Sequence, residues 1–448
     1  MPAPKNFLII TQVFSPDPAA VGQYFDEAAQ AIAGTGASVT VLTANRGYDN
    51  PDERFASKEN RDGIRIRRLP LSSFGKASIP VRIFAQLSFL VQCILRGLFT
   101  PKLTDLLVST SPPMAAITAV IIGLFRPKLK VHYWVMDINP DQAVILGTFG
   151  PKHPLVLALD WLNRRILKRA DSIIALDRFM AKRLLAKLPS ALFSQVSTLP
   201  PQVSTPQLSN LTIIPPWPMD DYLETVPHAE NAFREKQGWT DKFVVMHSGN
   251  HSLVHPLDTI LDAAEKLKGD PRFVFAFIGG GKGKQVVDAR VTQLNVERCS
   301  LNEESAATNS IISLPYQPLD QIKYSLSAAD LHIVSLGDDM SGIVHPCKIY
   351  GALSIGRPVL TLGPKESYLN DILQPDQPSI IQDQSSPPVG WAIEHGDVGA
   401  AVAALKAAAD QTQAERTAIG QRAQQIATKK FGRTQLIQQF LDTISDRG

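Results

Sequence analysis

Cysteine is nearly absent from this chain. The three present among 448 residues, Cys93, Cys299 and Cys347, lie far apart with no CxxC pair. That spacing excludes a disulfide framework and a thiolate-zinc scaffold, and it fits a reducing, cytoplasmic compartment. Excess charge is lacking too: 45 basic against 42 acidic residues leave only +3, which argues against a dedicated nucleic-acid partner. No apolar run reaches the ~20 residues that cross a bilayer. Two come nearest, Ile83–Leu95 between Arg82 and Arg96, and Met114–Phe125 before Arg126. The first ten residues run straight into a strand from Phe7 to Ile10, leaving no room for a secretion signal. No internal repeat of solenoid period is visible.

Apolar residues make up 44% of the chain, enough to fill two domains at this length. Apolar strand candidates alternate with helical stretches over Asn6–Val13, Ser38–Thr43, Ile64–Leu69, Asp105–Ser109, Val131–Val135, Ser172–Leu176 and Leu211–Ile214. After the stiff connection Pro215-Pro216-Trp217-Pro218 the alternation restarts. Its strands read Phe243–His247, Phe273–Ile278, Ile311–Leu314, Leu331–Leu336, Pro358–Leu362 and Ser379–Gln382. The pattern predicts an α/β protein of two doubly wound, Rossmann-like domains facing a central cleft, over residues 1–216 and 217–420, with a helical tail over 421–448. Pro189–Asn210 and Asn295–Ser310 have no sustained period and read as surface insertions.

The stretch from Ala328 to Leu362 carries the strongest chemical signal. A buried strand leads into a loop, then a helix with Pro346 near its start, then Gly356 and a second strand from Arg357-Pro358-Val359-Leu360. Amides at the helix start and the cation Lys348 suit a diphosphate. An ordinary crossover without ligand has the same spacing.

Other loops fall at the carboxyl ends of strands, where open parallel sheets bind ligands. Phe14–Gln23 contains Gly22, which opens a helix. Tyr133–Asp141 carries Asp137 and Asp141; Asp137 is either ligand-facing or the cap of the next helix. His132, inside the strand, reads as packed. His247–Pro256 holds three histidines at four-residue spacing, but Gly249 and Pro256 prevent one helix from aligning them on zinc. The backbone amides of its Gly249 and Asn250 are candidates for phosphate contact. Gly279-Gly280-Gly281 precedes Lys282 and Lys284, allowing close backbone approach to an anion, and lacks the GK(S/T) of a Walker loop. Tyr316 and Gln317 follow the next strand. The pairs Asp338-Asp339 and Asp220-Asp221 read as solvated, so no metal is expected.

Pro346, Lys348, Ile349, Tyr350, Gly356, Arg357, Pro358 and Val359 together resemble the donor motif of family 4 glycosyltransferases of GT-B fold, and the resemblance extends over nearly the whole chain. It implies a retaining transferase in cell-envelope or exopolysaccharide biosynthesis. A nucleotide sugar, UDP- or GDP-linked, would be substrate rather than cofactor. The resemblance places Gly22, Gly249, Asn250, His255, Gly280, Gly281, Lys282, Gly342, Ile343, Val344 and Lys348 at the diphosphate, Tyr316 and Gln317 by the nucleobase, and Asp137 and Lys348 in catalysis. It also has the tail cross back to the first domain. Many relatives carry two glutamates where this chain has Ile343 and Gly351. The implied acceptor is a glycan or a polyprenyl-linked precursor, with 83–95 touching the inner face of the plasma membrane. Two alternatives stand beside this reading, a sugar-nucleotide epimerase of the same fold and a non-catalytic nucleotide-sugar-binding protein.

Overall fold

The computed structural model describes residues 5–17, 19–47, 52–73, 79–189, 208–218, 223–300, 310–373 and 389–445. The chain divides into two compact units. One comprises Met1–Met219, Gly342–His345 and Thr434–Gly448; the other comprises Asp220–Ser341 and Pro346–Arg433.

The first unit is built on β1 (Asn6–Ile10), β2 (Ser38–Ala44), β3 (Lys58–Arg61), β4 (Ile64–Leu69), β5 (Asp105–Ser109), β6 (Lys130–Trp134), β7 (Ser172–Ala175) and β8 (Leu211–Ile213). Their order across the sheet is β3-β4-β2-β1-β5-β6-β7-β8, all parallel except β3 against β4. Between strands run α1 (Ala20–Gly34), α2 (Ile79–Phe99), α3 (Ala116–Phe125), α4 (Asp141–Ile145), α5 (Pro154–Arg169) and α6 (Arg178–Ala186). The central strands are apolar runs because helices shield them; β5 is buried at all five positions. Strand β3, absent from the sequence reading, spells Lys-Glu-Asn-Arg with no apolar face. It is held at the edge by ion pairs, Glu59 with Arg68 at 2.7 Å and Arg61 with Asp26 at 2.6 Å. Charge is what an edge strand needs to avoid pairing with another chain.

Helices α2 and α3 approach closely because Gly97 faces Ile122, where a Cβ would come within 2.3 Å of the Ile122 side chain. Ala85, Phe89, Leu90 and Cys93 form the buried face of α2. Its outer face is apolar as well: Phe84, Leu87, Val91 and Leu95 are each about half exposed. Among the described residues no helix is long and apolar enough to cross a membrane.

The second unit orders β9 (Phe243–Ser248), β10 (Phe273–Ile278), β11 (Ser310–Leu314), β12 (Leu331–Ser335), β13 (Val359–Leu362) and β14 (Gly390–Ile393) as β11-β10-β9-β12-β13-β14, all parallel. Its helices are α7 (Ala232–Lys236), α8 (Asp258–Lys266), α9 (Lys284–Ser300), α10 (Ile322–Ser327), α11 (Lys348–Ser354), α12 (Tyr368–Leu373), α13 (Val398–Asp410) and α14 (Gln413–Phe431). The strand expected at Ser379–Gln382 lies outside the described residues, as do 190–207 of the first insertion, 301–309 of the second, and Asp220-Asp221. The sixth described strand is Gly390–Ile393, whose short sequence GWAI gave no periodic signal.

The tail expected as one segment over 421–448 is divided. Helix α14 stays in the second unit, where Phe431 packs on Tyr350 at 5.0 Å between ring centres. The last helix, α15 (Arg433–Ser445), belongs to the first, where Phe440 lies 4.9 Å from Trp134 and 6.2 Å from Trp217. Phe25 of α1 completes this aromatic core at 5.0 Å from Trp134.

Candidate active site

In the second unit, the carboxyl ends of β9 and β10 are locked together by glycines. Gly249 donates its N–H to the carbonyl of Ile278 at 2.9 Å, and His251 donates to that of Gly280 at 2.6 Å. Gly279 has φ +132°, and a Cβ on it would fall 2.0 Å from the carbonyl oxygen of Gly249. A Cβ on Gly281, at φ +111°, would meet the Asn250 Oδ1 at 2.0 Å. Only glycine satisfies both the backbone angle and the space. Beside this platform a Cβ on Gly280 would touch the ring of Tyr316 at 2.7 Å, and one on Gly249 would touch Lys348 Cε at 3.0 Å. The structure therefore brings Gly249, Asn250, Gly280, Gly281, Tyr316 and Lys348 together around the ends of two strands.

Lys348 is the first residue of α11, a helix of only seven residues, with Tyr368 donating its hydroxyl to the Pro346 carbonyl at 2.6 Å just before it. So short a helix adds little dipole, and the ammonium itself supplies the charge. Burial lowers its pKa to about 8. Three imidazoles lie in its field. His247 bonds through Nδ1 to the carbonyl of Ile333 at 3.1 Å, and His251 through Nδ1 to that of Gly249 at 3.0 Å. Nε2 of His247, Nε2 of His251 and Nδ1 of His255 have no partner among the described residues. Burial first, and then Lys348, hold His247 and His255 well below the usual histidine range. Burial first, and Lys284 next, bring His251 to about 4. All three are neutral at pH 7, so they add no charge to that of Lys348. No group of residues suited to a metal ion occurs among the described residues.

Of the two lysines after the triple glycine, Lys282 is exposed. Lys284 is buried: its Nζ donates to the carbonyl of Phe277 at 2.9 Å and to Ser313, and pairs with Asp288 at 3.2 Å. The expectation that both lysines are free to meet an anion fails for Lys284, which braces β10, β11 and α9. Gln317 donates its amide to the nearby Pro315 carbonyl at 2.9 Å. Arg357 serves the framework, donating to the carbonyl of Ser327 at 2.9 Å. A side chain at Gly351 would face Leu223 and Leu326, an apolar setting.

In the first unit, Gly22 sits in α1 because the Val13–Phe14 loop crosses it; a Cβ there would lie 3.1 Å from Phe14 N and Cα. Asp137 follows β6. Its backbone N–H donates to Thr110 Oγ1 at 3.2 Å, as does that of Met136. Its carboxylate does not cap α4, whose N-cap residue is Pro140. Desolvation raises its pKa to about 6. Asp141 is occupied by Lys187 at 2.7 Å, and Lys187 also binds Asp160 at 2.8 Å. His132 is packed, with Nδ1 2.8 Å from Ser172 Oγ and Nε2 3.1 Å from Asp105.

Gly342, Ile343 and Val344 belong to this unit. A Cβ on Gly342 would fall 2.5 Å from the backbone of Phe179, the Ile343 carbonyl accepts the N–H of Ile138 at 2.9 Å, and the Ile343 and Val344 side chains are buried. The next residue, His345, meets Asp177 at 2.8 Å, while Asp177 also caps α6. Sequence reasoning missed that pair, together with Thr110, because nothing in local spacing connects residues so far apart.

The glycosyl transferase 4-like domain family matches residues 19–193. Probable glycosyltransferase WbjE of Pseudomonas aeruginosa is 26% identical over 296 residues, covering 63% of this chain and 65% of that protein, just under two thirds of its length. WcaI of Escherichia coli K12, a putative colanic acid biosynthesis glycosyl transferase, is 23% identical over 360 residues, 77% of this chain and 79% of that one. Residues 19–193 thus carry the likeness to that family, and both curated relatives are described as glycosyltransferases. Its fold is that of Anabaena HepE, solved in complex with UDP and glucose, at a TM-score of 0.66 and 14% identity over 99% of this chain and 100% of that one. Both doubly wound units are thus those of the GT-B fold.

Proposed function

We propose that the protein transfers a sugar, with retention of anomeric configuration, from a nucleoside-diphosphate sugar to a glycan or lipid-linked acceptor of envelope or exopolysaccharide synthesis. The observation that carries the reading is Lys348 set against the glycine platform at the ends of β9 and β10, a cation beside glycine backbone at a sheet edge. In this reading Lys348 neutralises the charge that develops on the departing diphosphate, a preorganised electrostatic contribution. Tyr316, half exposed above Gly280, flanks the nucleobase. A phosphate oxygen of the donor takes the acceptor proton, so no carboxylate pair is required. Asp137, unpaired and with raised pKa, serves the acceptor. The colanic acid assignment of WcaI supports a polysaccharide setting, and the UDP in HepE supports a UDP-linked donor. The apolar outer face of α2 supports contact with the inner face of the plasma membrane.

A donor screen by thermal shift with UDP-, GDP-, ADP- and dTDP-sugars tests this. Ligand at ~100 times its Kd adds about 2.7 kcal/mol of stability. Stabilisation by one nucleotide class, lost in Lys348→Ala, is expected; no stabilisation by any refutes the donor site. One specific observation favours a binding-only protein: Ile343 is buried and Gly351 faces leucines where many relatives carry glutamates. Product release from donor with lipid-linked acceptors separates the two.

A further inference from the structure

Where β6 ends, the turn that carries Asp137 is held by groups from elsewhere in the chain. The last bond of the sheet ladder is donated by Val135 to the Ile174 carbonyl at 2.9 Å. Of the next three amides, those of Met136 and Asp137 share Thr110 Oγ1, each at 3.2 Å, and that of Ile138 goes to the carbonyl of Ile343 at 2.9 Å. Amides out of reach of water need such partners. Together these three bonds place the Asp137 carboxylate, which has no ionic or hydrogen-bonding partner among the described residues and whose raised pKa comes from burial alone. Thr110 directly follows β5, the strand beside β6, whereas Ile343 follows no strand of this sheet and has to be brought to the turn.

The segment that brings it, Gly342–His345, is pinned to the first unit at both ends. Gly342, at φ +71°, lies so close to Phe179 that a Cβ would come within 2.5 Å of its backbone. His345 Nδ1 donates to Asp177 Oδ2 at 2.8 Å, while Asp177 Oδ1 accepts the N–H of Met180 at 2.8 Å and caps α6. Both pins therefore rest on the start of α6. Between them the side chains of Ile343 and Val344 are buried, so residue 343 serves the Asp137 turn through its backbone. A buried imidazole–carboxylate pair is a weak source of net stability, but its directed bond fixes one geometry.

We infer that His345 and Asp177 are positioning residues for Asp137: their bond keeps the Ile343 carbonyl on the Ile138 N–H, and that contact keeps the turn in which the Asp137 carboxylate sits. The inference rests on the acceptor role proposed above for Asp137. Without the pair, the Ile138 amide loses its fixed acceptor, the turn opens to water and the carboxylate is hydrated again.

Thermal unfolding of the full chain tests this through the carboxylate itself. Asp137→Asn removes a desolvated charge, so it should raise the melting temperature at pH 7.5 and not at pH 4. In the Asp177→Ser background, where serine still caps α6 but is too short to reach His345, that rise should fall below about half its size. His345→Leu, which leaves the cap intact, should do the same and carries the test if Asp177→Ser does not fold. Asp177→Asn, able to keep both the cap and a bond to the ring, should leave the rise at full size. Turnover of the nucleotide sugar selected by the thermal-shift screen gives a second readout. Asp177→Ser should lower kcat at least about tenfold, and its double variant with Asp137→Asn should be no slower than Asp137→Asn alone, because the two act through one group. A purely structural pair would lower every melting temperature, leave the rise intact and multiply the two losses of turnover. An intact rise, or multiplied losses, overturns the positioning role and leaves the acceptor role of Asp137 standing. Absence of the rise in the wild-type background overturns the unpaired carboxylate and the inference together. The thermal comparison needs no substrate, so it decides the positioning role even where the donor screen finds no ligand.

Discussion

Replacing Asp137 by Asn should stabilise the protein and disable it at once. The folded environment raises this carboxyl from 3.8 to about 6 by desolvation, and no partner among the described residues repays the charge. A raised acid is held protonated in the fold, so the penalty is absent below the unfolded value near 4. It grows as pH rises and is complete above about 6. A shift of about two units at 1.36 kcal/mol each gives roughly 3 kcal/mol, an upper figure because the side chain is only partly buried. Asn escapes that penalty. Scanning calorimetry of wild type and variant should show the variant unfolding several degrees higher at pH 7.5, at roughly 2–4 °C per kcal/mol for a unit of this size, with the gap closing by pH 4. Turnover should fall while nucleoside-diphosphate affinity, measured by titration calorimetry, stays within twofold. A gap that persists at pH 4, or none at pH 7.5, refutes the unpaired carboxylate. Loss of diphosphate affinity refutes its assignment to the acceptor.

If Lys348, with a pKa near 8, binds the diphosphate in its charged form as proposed, Kd should rise about tenfold per pH unit above 8. Lys348→Met should bind at least tenfold more weakly at pH 7 and show no such slope. Gly279→Ala forces a Cβ onto the Gly249 carbonyl at an angle alanine rarely adopts, so urea unfolding should show a loss of at least about 2 kcal/mol, with nucleotide binding impaired even at low temperature. Phe84 and Phe89, five positions apart in one apolar run, should separate: Phe84→Ser, at a half-exposed site, should leave the melting temperature unchanged and weaken vesicle binding, whereas Phe89→Ser, fully buried, should cost about 3–5 kcal/mol of stability.

That last contrast shows where sequence reading stops. An apolar run announces a helix, but α2 is apolar on both faces, so periodicity alone does not tell the core side from the outer side. The parallel strands were legible because burial on both faces makes them continuous apolar runs; β5 and β10 begin and end where the pattern does. Strand β3 was not, because its stability comes from ion pairs with residues elsewhere in the chain. Glycine and lysine at strand ends singled out Gly249, Gly280 and Lys348, and the fold brings Gly249 against Lys348 and Gly280 against Tyr316. The fate of Lys284, two residues from exposed Lys282, depended on the register of α9 over β10 and β11, which no motif encodes. Likewise the pairing of His345 with Asp177 joins positions 168 apart.

The interlocked glycines at the ends of β9 and β10 also bear on how such a protein diversifies. With the Gly249 carbonyl oxygen where the first side-chain atom of residue 279 would go, and the His251 carbonyl oxygen 2.8 Å from that of residue 281 at φ +111°, two positions of the platform accept only one amino acid. If the proposed donor site is right, variation in preference for one nucleotide over another is channelled to the platform's neighbours Asn250 and Tyr316, whose side chains face the glycines. New specificities drawn from this scaffold should then differ at those two positions and keep the glycines unchanged.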